Sequence, residues 1–292
     1  MSVVKKENII KTILSSLIFP VLYFLLMVLF DQGYFLIWKA LNPGATDAQA
    51  NAQLMSVALF LLVGIIAAFF LITFIVFKIR HESLLKRIQW NPVTKKSVYV
   101  FAALAGLGLI FTAPLVVLLI PESWITNDAV NSATDGMNFL LTIGILGILA
   151  PIAEEIVFRG LMMTRLDKRA APWLAVTLPV LGFAALHLGD SFGHMFSVLP
   201  LAVSAGLVFL WTRSIRVTMT IHIANNVIAF LIQELASAAE PAATHDTSGS
   251  ILPNIIIGFI GLAITVFALA MIYMRKQKSI PNLNDTEGIQ TV

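Results

Sequence analysis

The chain is a succession of long apolar runs, such as SVALFLLVGIIAAFFLITFIVF at 56–77, parted by short polar breaks. A helix crosses a bilayer with about 20 apolar residues at 1.5 Å each. The runs predict spans near 9–30, 54–77, 98–120, 139–158, 173–189, 195–212, 217–236 and 254–274. The fifth and sixth are short, and the break between them, LGDSFGH, is a tight polar turn. The predicted fold is all-α: a polytopic membrane bundle of about eight helices, forming one integral membrane domain over 1–292.

Basic residues orient the bundle. With the N-terminus placed in the cytoplasm, all but Lys39 of the 19 lysines and arginines fall on the inner side, as the positive-inside rule requires. A missed or spurious span in the middle of the chain would scramble that partition. Both termini are therefore expected in the cytoplasm. The first apolar run exceeds the 7–15 residues of a signal peptide and reads as a retained span. The segment IRHESLLKRIQW at 79–90 mixes apolar and basic residues at helical spacing. It fits a helix lying along the lipid interface or an ordinary solvated loop. The stretches 121–138 and 237–252 read as polar outer loops, and the tail 279–292 as disordered.

Composition narrows the class. Charged residues make up 12% of the chain, about half the share in a soluble domain, and there is no cysteine to form a disulfide, a thiolate nucleophile or a thiolate metal site. Nothing resembles a nucleic-acid site. No internal repeat supports an inverted-repeat transporter, although Glu and His in spans could relay protons. The bilayer is the first expected partner, and the localisation is a multi-pass cell-membrane protein.

Ionisable groups inside lipid spans are costly and point to function. Span four ends in PIAEEIVFRG, carrying Glu154, Glu155 and Arg159; span five carries His187; span seven carries His222, Asn225 and Asn226. Glu155 and Arg159 stand four apart, so they share a face and can pair. Glu154 is turned about 100° away and is less readily neutralised by that arginine. Phe183 lies one turn before His187, and His222 shares a face with Asn226. Spans four and five form a hairpin around DKRAAP, with Glu154 and His187 each 16 residues from the turn, which sets both about 24 Å from it. Asn225 reads as a helix-contact residue and His194 as a turn residue; His81 and His245 lie in loops.

A carboxylate withdrawn from water can serve as a general base near neutral pH, and donors in a low-dielectric pocket can stabilise an oxyanion. The same Glu154, His187 and His222 could instead hold Zn²⁺ with a water in the fourth position. Zinc thus stays open as a cofactor.

EEIVFR, FAALH and HIANN, in this order on three spans, resemble the pattern of the CPBP intramembrane proteases. That family includes the type II CAAX prenyl endopeptidases and the bacterial abortive-infection-type membrane proteins. The resemblance covers about 150–230, within a core expected at 139–236. It implies an endopeptidase, with a peptide or membrane protein as substrate and a bacterial plasma membrane as its setting. It implies that Glu154 and His187 activate water and that His222 and Asn226 line the oxyanion site. Glu155, Arg159 and Phe183 are implied as supports. A non-catalytic scaffold or bacteriocin-immunity protein of the same fold is the alternative.

Overall fold

The computed structural model describes residues 9–124, 138–189, 191–239 and 251–276. The expected outer loops fall largely, and the tail and His245 wholly, outside these residues. All eight predicted spans are helices: α1 (Ile9–Leu41), α2 (Asp47–Ile79), α3 (Ser97–Val117), α4 (Phe139–Asp167), α5 (Pro172–Gly189), α6 (Phe192–Thr212), α7 (Ile215–Ala236) and α8 (Ile251–Arg275). No strand occurs among the described residues. Helix is the expected solution in lipid, because it satisfies its backbone hydrogen bonds internally.

Several helices outrun their apolar cores, because turn chemistry rather than lipid sets their ends. Between α1 and α2 the turn NPGAT stops one helix, and Thr46 starts the next with a reciprocal capping box to Gln49. Lys39, the one basic residue assigned to the outer side, donates to the Asp47 carboxylate at 2.7 Å and to the Ala45 carbonyl at 2.9 Å. Its departure from the charge rule thus has a local use. Near its start α1 breaks at Leu17; Pro20 offers no N–H to the preceding turn, which loosens the helix there.

α3 lies against both α7 and α8. A Cβ on Gly106 would stand 2.5 Å from the Ile221 carbonyl oxygen of α7, and one on Gly108 2.5 Å from Thr265 Oγ1 of α8. Only hydrogen fits, and membrane helices approach closely through such small residues.

The segment that follows α2 is neither an interfacial helix nor a free loop. After one helical turn, Leu84–Arg87, it becomes a strap that folds inward. Ile88 and Val93 are buried. The Ile215 amide donates to the Gln89 carbonyl at 3.1 Å, and Asn91 donates to the Arg213 carbonyl at 3.2 Å. Ser214 donates its hydroxyl to the Asn91 carbonyl. Gln89 and Arg213 both have positive φ, near 55° and 50°, which lets two sharp turns interlock. Ile88 fills the space over Gly160 of α4, where a Cβ would come within 2.9 Å of it.

Candidate active site

α4 is not a uniform α-helix. Ile143–Leu149 and Ile156–Met163 are π-helical, and they flank the α-helical Ala150–Glu155. Pro151 lacks an N–H, and the preceding amide, Ala150, reaches back to the Ile145 carbonyl. Below the glutamates the Thr164 amide reaches the Arg159 carbonyl in the same wide step. Such wide turns are rare in helices and frequent at functional sites. Here they bracket the two glutamates.

Glu155 and Arg159 are both fully buried, and the Arg159 Nη1 donates to Glu155 Oε1 at 3.0 Å. Arg159 Nη2 donates to the Ala202 carbonyl of α6 at 2.9 Å. The expected pair is therefore present and tied to a third element. Glu155 Oε1 also lies 3.0 Å from His222 Nδ1 of α7. An ionised carboxylate only accepts, so Nδ1 carries the hydrogen.

His222 is 2% exposed, and its other nitrogen, Nε2, faces Glu154 Oε2 at 3.6 Å. One imidazole thus stands between the two adjacent glutamates. Glu154 keeps some access, with 17% of its side chain exposed against none for Glu155. Two carboxylates and one guanidinium leave a negative charge over. An uncompensated buried charge is expensive, and the Nδ1–H of His222 relieves part of that cost at Glu155.

Phe183 of α5 is the hub around which these groups assemble. Its ring is fully buried, with the Arg159 guanidinium 5.0 Å above it. The rings of His187 and His222 lie 4.9 and 5.5 Å from it. His187 Nδ1 lies 3.0 Å from the Phe183 carbonyl. A carbonyl only accepts, so Nδ1–H is fixed there, and in the neutral ring Nε2 keeps its lone pair.

Asn226 points into α4. Its Nδ2 donates to the Leu146 carbonyl at 3.1 Å, while its Oδ1 accepts from Asn225 at 3.2 Å. One N–H of the amide is thereby committed and the second is not assigned to that carbonyl.

Three participants went unrecognised in the sequence. The Ala202 and Leu146 carbonyls carry no side-chain signal. His194, expected to be a turn residue, stacks edge-to-face on His187 at 5.0 Å between ring centres. Its separation from His187 by one polar turn was the available clue.

Among the described residues no three His, Asp or Glu side chains converge as metal ligands. Both nitrogens of His222 face carboxylates.

Fold and site together define a polytopic helical membrane protein with a Glu–Arg–His cluster inside its bundle. Residues 136–228 match the family model described as type II CAAX prenyl endopeptidase Rce1-like, consistent with the CPBP family. The match spans α4 to most of α7 and contains all seven residues singled out from the sequence. At the family level it supports a CAAX-protease-like membrane endopeptidase. No curated protein and no solved structure matches the chain.

Proposed function

We propose that the chain is an intramembrane endopeptidase that hydrolyses a peptide bond with water activated by Glu154. The observation that carries this reading is the placement of His222 between Glu154 and Glu155, at 3.6 and 3.0 Å.

In the proposed reaction Glu154 takes a proton from water, and the resulting hydroxide attacks the scissile carbonyl carbon. His187, with Nδ1–H held by Phe183, offers Nε2 to orient that water. Negative charge forms on the carbonyl oxygen, where the His222 Nε2–H and the second Asn226 N–H donate. As the tetrahedral intermediate collapses, Glu154 returns its proton to the leaving amine. Glu155 holds the Nδ1–H of His222, and Arg159 holds Glu155, so a carboxylate and a guanidinium position the imidazole without touching substrate.

We place the protein across the plasma membrane of a bacterium, with both termini and the basic end of the bundle in the cytoplasm. The 139–236 segment is the catalytic core of a single membrane domain. The substrate is a peptide or membrane-protein segment; prenylation of that segment is not required by the groups assembled here.

A comparative terminal-peptide survey of membranes from cells carrying the wild type or Glu154→Ala tests the proposal. A precursor cut only in the wild-type membranes is expected. Identical termini in the two membranes, with equal protein levels, would leave a scaffold or immunity role.

A further inference from the structure

The bundle contains a cavity of about 650 Å³ between α3 with the residues after it, α6 and α8; none of its lining residues belongs to the helices that carry the glutamates or the motif histidines. Helix packing explains the space. α3 and α8 meet backbone to backbone, since a Cβ on Gly261 would stand 2.5 Å from the Phe111 carbonyl carbon. Small residues hold that pair tight, and α6 faces it across the cavity through Phe196, Leu199 and Val203. Of fifteen lining residues, only Thr112, Ser204, Thr265 and Trp124 carry a side-chain heteroatom. The two threonine hydroxyls donate to the Gly108 and Gly261 carbonyls of their own helices, each at 2.9 Å. A buried water needs about two to four polar partners, and a wall whose threonines are already bonded offers few.

An apolar void left empty forfeits the dispersion contacts of its lining. Continuity with the bundle's outer surface says what fills it. Val203 of α6 and Leu262 and Val266 of α8 line the cavity and are 42%, 39% and 58% exposed, so it opens sideways between these helices onto surface that the bilayer covers. At one end Trp124 stacks on Phe196 with 5.9 Å between ring centres, and tryptophan is enriched where hydrocarbon meets headgroups. The sequence that follows Trp124 carries Asn127, Asp128, Asn131 and Asp135, a poor match for apolar walls. An apolar cavity of about 150 Å³ takes one benzene, so about 650 Å³ is room for one long hydrocarbon chain.

We propose that this cavity binds one acyl chain of a phospholipid, which enters between α6 and α8 with its headgroup beside Trp124. The site does not depend on the proteolytic reading. Its position matters because α6 is the wall it shares with the Glu–Arg–His cluster. Val203 and Ser204 line the cavity, and the neighbouring Ala202 carbonyl accepts from Arg159. Phe196 lines it as well, and His194, two residues earlier, meets His187. A chain in the cavity therefore packs α6 from the side opposite both contacts.

The test places the full chain in nanodiscs containing phosphatidylcholine with a photoreactive diazirine on one acyl chain, and maps the adducts by peptide mass spectrometry. Leu109 and Thr112 are buried and line the cavity, so lipid on the outer surface does not reach them. Adducts at these two residues are expected, beside the ordinary surface adducts at Phe259 and Ile260, which are exposed and outside the lining. Val203→Trp and Leu262→Trp narrow the entrance. Each should lower adducts at Leu109 and Thr112 about tenfold, the factor that about ten lost carbon–carbon contacts amount to, and leave those at Phe259 unchanged. Phe259→Trp should leave the cavity adducts as they are. Adducts confined to Phe259 and Ile260, cavity adducts that persist when the entrance is narrowed, or an equal loss in Phe259→Trp would each overturn the site. The wild-type map decides the matter even if an entrance variant folds poorly.

Discussion

Replacing Arg159 by methionine removes the guanidinium paired with Glu155 while keeping most of the side-chain volume. Glu155 and Arg159 have side-chain exposures of 0% and 1%, so solvent cannot replace the lost partner. Breaking a buried ion pair by deleting one member costs about 3–5 kcal/mol, because the other charge is stranded. The Ala202 carbonyl loses its donor as well, while the His222 Nδ1–H continues to serve Glu155. The compensation from His222 points to the lower end, about 3 kcal/mol or roughly a hundredfold in the folding constant. Replacing both residues, Glu155→Gln with Arg159→Met, removes the stranded charge. The double variant should therefore be more stable than Arg159→Met alone by about 1–2 kcal/mol. Reversible unfolding in mixed micelles of mild detergent and dodecyl sulfate, run on the wild type, both single variants and the double, measures the coupling. A loss below about 0.5 kcal/mol in Arg159→Met, or singles that simply add in the double, would refute the clamp.

Asn226→Ala should lower turnover by about 10²–10³ if its free N–H meets the oxyanion, measured as kcat on a cleavable peptide. Gly160→Ala forces a Cβ to within 2.9 Å of Ile88, and a thermal-unfolding series should record a loss of about 1–3 kcal/mol from overpacking. Truncating the other side of that contact, Ile88→Ala, should cost about 2–5 kcal/mol by leaving a cavity. Thr46→Ala removes the cap of α2 and should cost about 1 kcal/mol in the same assay.

Hydropathy made the eight helices legible, since each apolar run is a span and lipid leaves the backbone no other solution. It said less about their ends. Thr46 and the NPGAT turn decide where α2 begins, and a cap lies outside what a count of apolar residues sees. The pairing of Glu155 with Arg159 followed from ideal helical spacing and stands in the structure, because both lie at the join of the α-helical and π-helical stretches where the four-residue step survives. The same spacing turned Glu154 away from Arg159 but could not find its neighbour. His222 comes from a helix 67 residues later than Glu155 and meets both glutamates. The strap at 79–90 was ambiguous for a related reason. Its alternation suits interface or solvent alike, and what buries Ile88 is a glycine in another helix. The carbonyls of Leu146 and Ala202 carry no side-chain identity at all, so no reading of residue types could reach them.

The central claim is that Glu154 activates water, and its most direct test is single-turnover hydrolysis of a bound peptide by Glu154→Gln in nanodiscs. The substitution keeps the size of the side chain and removes its basicity. The account predicts a fall of about 10²–10⁴ in the chemical step, with an unfolding temperature close to that of the wild type. Cleavage by Glu154→Gln at the wild-type rate would contradict it.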